Sequence, residues 1–255
     1  MSDKEKIVIS SKEERSFDKQ IRPNLFTEFI GQKNLVNSLK TYILAAQERK
    51  EALDHILLYG PPGLGKTTLS NIIANELKKG FYSSSGPVIS IPGDLSGMLT
   101  NLQNRDVFFI DEIHRINTTV EEYLYSAMED YRIDILIDSG PNARTVRIDL
   151  EPFTLVGATT RLGKITTPMR DRFGAIFRLE YYKNDEIFQV LKRTSKILKV
   201  NIDEDALHEI ALRSRGTPRV ANRILKRVRD FAQVQKSKKI TLSQASESLD
   251  SIGVD

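Results

Sequence analysis

His55-Ile56-Leu57-Leu58-Tyr59-Gly60-Pro61-Pro62-Gly63-Leu64-Gly65-Lys66-Thr67-Thr68 joins a short apolar run to a glycine-rich loop and then to helix-forming sequence. Gly60 to Thr67 fits G-x-x-x-x-G-K-T and stands where that motif works, after a strand and before a helix expected over Thr67 to Leu77. Glycines let successive backbone N–H groups turn inward around a phosphate, and the helix start adds the positive end of its dipole. Lys66 is then placed to reach β- and γ-phosphates, and the Thr67 hydroxyl to ligate Mg²⁺. A mere Gly/Pro turn would require neither Lys nor Thr. The stretch predicts an ATP and Mg²⁺ site on an α/β fold.

Outward from this loop, Val88 to Ile91, Val107 to Ile110, Thr154 to Ala158 and Ala175 to Leu179 are apolar runs of strand length between helical or turn-rich stretches. That alternation predicts a parallel sheet flanked by helices. Leu35, Val36, Leu39, Tyr42, Ile43 and Ala46 fall at helical spacing, so Lys33 to Lys50 reads as an amphipathic helix. From Asn184 onward the pattern is helical only, with a fourth helix opened by the capping box Thr241-x-x-Gln244. The expected organisation is a flexible arm over 1–20, an ATPase domain over 21–182 and a small helical domain over 183–255. Ile133-Asp134-Ile135-Leu136-Ile137 and Val146-Arg147-Ile148-Asp149-Leu150 alternate around Ser139-Gly140-Pro141-Asn142, which predicts a β-hairpin near 132–150 or a plain extension of the sheet. Exposed apolar residues on a hairpin would suggest a partner site.

The 255 residues, 40% hydrophobic, suffice for a sizeable core, and the lack of cysteine excludes disulfides, thiolate zinc sites and cysteine nucleophiles. His55, His114 and His208 share no metal-ligand spacing and read as ordinary core or surface residues. No apolar run is long enough to span a bilayer and the N-terminus lacks a signal-peptide core, so a cytoplasmic protein is expected. The formal charge of +4 is unevenly spread, with 23 basic and 24 acidic residues up to Tyr182 but 15 and 10 beyond it. Ten Lys or Arg face one acid, Asp230, between Arg213 and Lys239. Such a segment is either a solvated helix face or an anion-binding surface.

Val107-Phe108-Phe109-Ile110-Asp111-Glu112 is an apolar strand ending in two acids. At the C-terminal edge of a parallel sheet the first carboxylate can face the Mg²⁺ shell and the second can polarise a water for attack on the γ-phosphate. Thr154-Leu155-Val156-Gly157-Ala158-Thr159-Thr160 is another strand ending in hydroxyls, one of which could bond that water or the γ-phosphate. Arg170-Asp171-Arg172-Phe173-Gly174 reads by itself as a surface ion pair. Thr217-Pro218-Arg219 supplies a cap, an N1 proline and an arginine unfavourable to the helix dipole, which suggests an anion partner.

These segments, with Ile21-Arg22-Pro23, Phe29-Ile30-Gly31-Gln32, Asp111-Glu112-Ile113-His114-Arg115, Met128-Glu129-Asp130-Tyr131 and Arg213-Ser214-Arg215-Gly216-Thr217-Pro218-Arg219, resemble the RuvB family of AAA+ motors, which drive Holliday junction branch migration in bacteria. The match runs from about Phe17 to the end. The resemblance implies that Lys66, Asp111, Glu112, Thr160 and Arg172 are catalytic, Thr160 as first sensor and Arg172 as an arginine finger acting on a neighbour's ATP in a ring, by family a hexamer. It further implies nucleotide contacts from Ile21, Arg22, Gly63, Gly65, Lys66, Thr67, Thr68, Glu129, Asp130, Tyr131, Arg172, Tyr182 and Arg219, the last as second sensor on the helical lid, and Mg²⁺ held by Thr67 and Asp111. The hairpin would meet a RuvA-like junction-binding protein, and the DNA partner would be the junction arms. Family members continue with a winged-helix domain that grips DNA, whereas this sequence stops at Ser251-Ile252-Gly253-Val254-Asp255. ATPase activity is therefore expected from these residues, and DNA gripping is not. The competing reading is a clamp-loader-like or initiator-like nucleotide switch with little turnover, against which Glu112 and Arg172 speak. A small-molecule P-loop kinase would have no need of the helical domain.

Overall fold

Five parallel strands, β1 (Ile56–Tyr59), β2 (Phe81–Ser85), β3 (Val107–Asp111), β6 (Thr154–Thr159) and β7 (Ala175–Arg178), form one sheet in the order β2-β3-β6-β1-β7. The computed structural model describes residues 17, 19–137, 144–251 and 253, so the turn expected at 139–142 and nearly all of the expected arm over 1–20 lie outside the described residues. Phe17, Lys19 and Gln20, the described part of that arm, are helical.

β1, β3 and β6 are largely apolar because both sheet faces are covered; Ile56, Leu57, Leu58, Val107, Phe108, Phe109, Ile110, Leu155 and Val156 are all buried. Each such side chain contributes about 1.5–3 kcal/mol through its removal from water. The helices flanking this sheet are α1 (Lys33–Arg49), α2 (Lys66–Leu77), α3 (Pro92–Leu99), α4 (Thr118–Asp130) and α5 (Thr167–Asp171). Asn117 caps α4 by accepting from Val120 N at 3.0 Å, and Val120, Leu124, Ala127 and Met128 form its buried face.

The strand expected at Val88 to Ile91 is not one. Gly86–Val88 is a 3-10 turn and Pro92 opens α3, while Val88 and Ile91 are 60% and 58% exposed. Two prolines leave this segment too few donors for a ladder. The edge strand is instead the serine-rich Phe81–Ser85, held on one side by β3, with Phe81 stacked on Phe109 at 6.0 Å between centroids. Buried Asp106 fixes its entry by accepting from Gly80 N and Gln103 N, each at 2.8 Å.

β4 (Arg132–Ile137) and β5 (Arg144–Asp149) pair antiparallel as a separate two-stranded sheet rather than an extension of the main one. Asp134 sits opposite Arg147, and their side chains pair at 3.0 Å. Ile133 is buried at the root while Val146 is exposed further out.

Two compact units result, one of residues 25–27 and 32–180, the other of the described residues up to Asn24, Glu28–Gly31 and those from Tyr181 onward. The second contains α6 (Asn184–Ile197), α7 (Glu204–Arg213), α8 (Pro218–Val234) and α9 (Leu242–Ser251). Thr241 and Gln244 cap α9 reciprocally, at 3.3 and 3.4 Å. Thr217 stands before Pro218 as expected, but its hydroxyl donates to Arg215 O at 3.5 Å and caps no helix N–H among the described residues. Ile21 to Asn24, placed by sequence with the ATPase domain, groups with these helices because Arg193 donates to Ile21 O at 2.6 Å and pairs with Glu28 at 3.4 Å.

His55, read from sequence as an ordinary residue, is a buried neutral staple. Leu155 N donates to its Nδ1 at 2.9 Å and its Nε2 donates to Met128 O at 3.0 Å, so the bonds themselves select the uncharged Nε2–H form. Burial lowers its pKa from 6.5, which outweighs the opposing effects of the Met128 carbonyl and Asp54. Because the folded protein takes up this proton less readily than the unfolded chain, the stability involved is complete above about 6.5 and lost as pH falls below it, by up to about 1.4 kcal/mol per pH unit. Urea titrations at pH 7.5 and 5.5 are expected to show a smaller acid loss in His55→Gln than in the parent; equal losses would refute this assignment.

Candidate active site

The parallel sheet brings the ends of β1, β3 and β6 to one edge, where the P-loop, Asp111-Glu112 and Thr159-Thr160 follow their strands. The connection from β1 runs to β2 on one side and that from its neighbour β6 to β7 on the other, so the ends of β1 and β6 flank the switch point at which open α/β sheets form their ligand crevice. Gly60 N donates to Thr159 O at 3.2 Å and Leu179 N to Tyr59 O at 2.8 Å, so the loop leaves from a fully paired strand end.

Within the loop Gly63 and Gly65 have φ of 82° and 101°, which an L side chain rarely adopts. The N-terminus of α2 has Gly65 as its N-cap and no side-chain cap, so no capping side chain takes up its first N–H groups. Lys66 is buried, and its Nζ donates to Gly60 O and Pro61 O, each at 2.8 Å. Thr67 and Thr68 follow on the first turn, both half-buried.

Asp111 Oδ1 accepts from Glu112 N at 2.9 Å, turning the chain sharply after β3. Glu112 lies in the left-handed region with φ of 47°, a conformation costly for a non-glycine residue and concentrated at functional sites. Its carboxylate pairs with Arg115 at 2.9 Å, an exposed contact worth about 0–1 kcal/mol and readily exchanged. Thr160 is exposed at the end of β6, whereas Thr159 is buried. Thr159 Oγ1 bonds His114 Nδ1 and accepts from Arg161 N, both at 2.9 Å. From sequence alone His114 reads as an ordinary residue, and nothing local distinguishes Thr159, the last residue of β6, from Thr160 beside it.

Arg172 lies elsewhere. It precedes β7, whose first residue pairs with Ile56 at the start of β1, so it is at the sheet edge opposite the P-loop. There it pairs with Glu129 at 3.2 Å, donates to Pro168 O at 2.8 Å and lies 4.2 Å over the Tyr125 ring. Asp130 pairs with Arg132 at 2.9 Å, and Tyr131, its pKa raised by burial and then by Asp54, packs edge-on to Phe153 at 5.8 Å. Ile21, Arg22, Tyr182 and Arg219 belong to the helical unit, where Tyr182 N donates to Gly216 O at 2.9 Å just before α8 and Arg219 is exposed.

The oxygen donors available for a cation, one hydroxyl from Thr67 and one carboxylate from Asp111, suit Mg²⁺, which keeps several waters and takes phosphate oxygens besides a few protein ligands. Among the described residues no cluster of three or more His, Asp or Glu offers an all-protein metal cage. None of the described helices is long and apolar enough to cross a membrane.

Comparison with known proteins accords with this arrangement. Residues 21–179 match the family model described as the Holliday junction DNA helicase RuvB P-loop domain, and residues 182–255 match the RuvB AAA lid domain. The Holliday junction branch migration complex subunit RuvB of Parabacteroides distasonis is 57% identical over 242 residues, which cover 95% of this chain and 71% of that protein. The protein of the same name from Flavobacterium johnsoniae is 57% identical over 243 residues, 95% of this chain and 72% of its own length. Among solved structures, the Thermotoga maritima RuvB Holliday junction branch migration motor superposes with a TM-score of 0.84 at 46% identity, over 92% of this chain and 74% of that one. Matched along both its units, by sequence and by fold, the chain belongs to the RuvB family of P-loop AAA+ ATPases.

Proposed function

We propose that this chain is one subunit of a hexameric ring that hydrolyses ATP to drive Holliday junction branch migration, each active site being completed by Arg172 of a neighbouring copy. The observation that carries the ring is the position of Arg172 just before β7, across from the P-loop at the end of β1; the four residues of β1 alone span about 13 Å. A guanidinium there serves phosphate chemistry only on another molecule's ATP, as arginine fingers supplied in trans do.

In this reading 21–182 acts as the ATPase domain and 183–255 as its lid, with 1–20 as an arm. The loop N–H groups around Gly63 and Gly65 hold the phosphates, and Lys66 exchanges its carbonyl partners for β- and γ-oxygens. Thr68 contributes beside them. Thr67 and Asp111 hold Mg²⁺, which when bound neutralises charge on the phosphates. Glu112 leaves Arg115 to polarise the attacking water, and Thr160 senses the γ-phosphate. Ile21, Arg22 and Tyr182 line the adenine side, Arg219 acts as second sensor, and Glu129, Asp130 and Tyr131 make further contacts with nucleotide.

A RuvA-like protein is the proposed partner of the hairpin over 132–150, where Val146 is exposed. DNA is the proposed substrate, and the cytoplasm, where DNA and ATP meet, the place of action. The basic segment 213–239 carries less free charge than its composition suggests. Arg213 pairs with Glu209 and Asp250, Arg227 and Arg229 with Asp230, and Lys239 with Asp203.

Glu112→Gln is expected to bind ATP while turning it over about 100-fold more slowly or worse, the usual worth of a general base; unchanged steady-state turnover would remove Glu112 from this role. For the ring, Arg172→Ala and Lys66→Ala are each expected to be inactive alone. An equal mixture should regain activity at about a quarter of interfaces if subunits exchange at random. A mixture as inactive as its components would exclude a finger supplied by a neighbour.

A further inference from the structure

Thr159 is the meeting point of three parts of the site. Its carbonyl accepts from Gly60 N of the P-loop at 3.2 Å, its hydroxyl bonds His114, and Thr160 follows it directly. His114 belongs to the short 3-10 turn Ile113–Arg115 that issues from Glu112. This turn is fastened to β6 at two places on one face of the strand, since residues two apart point the same way. At the first, Gly157 lets Ile113 approach so closely that a Cβ there would lie 3.0 Å from Ile113 Cδ1. At the second, His114 Nδ1 meets Thr159 Oγ1 at 2.9 Å. The Ile113 contact is apolar and non-directional, whereas the hydrogen bond sets an angle. Thr159 Oγ1 already accepts from Arg161 N, so its proton is available to His114, whose Nδ1 then accepts and whose Nε2 carries the ring proton. Burial, the foremost cause, and the cations Arg161, Lys164 and Arg115 favour this neutral ring against the pull of Glu112.

We propose that His114 is a positioning residue: through its bond to Thr159 it holds the turn bearing Glu112 in register with the end of β6, so that contact between Thr160 and a γ-phosphate places the Glu112 carboxylate for water attack. The proposal rests on the roles given above to Glu112 and Thr160. It assigns His114 no contact with nucleotide. Loss of the bond therefore acts on the chemical step and not on ATP affinity. A neutral hydrogen bond of ordinary strength corresponds to about a tenfold change in rate.

Steady-state ATP hydrolysis by His114→Asn, His114→Gln, Thr159→Val and the double variant His114→Gln/Thr159→Val tests this. Asn carries its amide where Nδ1 stands, and Gln carries it near Nε2. His114→Asn is expected to stay within about twofold of the parent, and His114→Gln to lose about tenfold in kcat with KM for ATP unchanged. Thr159→Val is expected to lose the same factor, and the double variant no more than either single one. Equal kcat for His114→Asn and His114→Gln, a loss confined to KM, or multiplied losses in the double variant would each overturn the proposal. Thermal midpoints within a few degrees of one another separate positioning from unfolding, and a kcat loss that merely follows a lowered midpoint also counts against it. Glu112→Gln run alongside distinguishes the two readings. If it is inactive while His114→Gln matches the parent, only the His114 proposal falls; if it is active, the reading of Glu112 falls first.

Discussion

Covering both faces of β1, β3 and β6 with apolar packing is the constraint from which the rest follows. Strands buried in this way have no exposed face on which to carry polar chemistry, so such groups gather where the strands end. A parallel sheet puts all those ends on one edge. Lys66, Asp111, Glu112, Thr159 and Thr160 are neighbours because three apolar strands run in one direction, not because they are close in sequence. The same constraint explains why the glycine-rich loop stays in place: its first N–H completes the ladder with β6 before the chain departs.

The opposite edge of the sheet has a different character. Arg172 is held there by a carboxylate, a carbonyl and an aromatic ring. The ring contributes about 0.5–2 kcal/mol depending on desolvation, and the ion pair with half-exposed Glu129 less. Such a site orients a cation without burying it completely. The division of labour between two edges makes the isolated subunit an incomplete hydrolase in the proposed ring.

The sequence revealed the P-loop and the central strands clearly, because each is a continuous apolar run ending in residues with few alternative uses. The edge strand escaped notice for a physical reason: paired on one side and half-exposed, Phe81–Ser85 needs no apolar run, while the apolar Val88 and Ile91 lie at a turn fixed by Pro87 and Pro92. The attachment of Ile21 to the helical unit depends on Arg193, a partner 172 residues away, and no local pattern encodes it. The bond between His114 and Thr159 was hidden for the same reason. A lone histidine and a strand threonine are both common, and only the folded sheet makes them a pair. The roles of Arg172 and Arg219 came from family likeness, since two arginines near an acid or a helix start have ordinary explanations of their own.

The last turn of α4 and the root of the hairpin share four consecutive residues with three attachments. Met128 O receives His55, the Glu129 carboxylate receives Arg172, and Tyr131 O receives Leu150 N at 2.7 Å. Mechanically this is a clamped lever. A rotation at the base of the hairpin would bear on the staple from His55, the seat of the guanidinium and the first rung of the hairpin together. Arg172 and the root of the hairpin are thus joined through one short stretch of chain, Met128 to Tyr131.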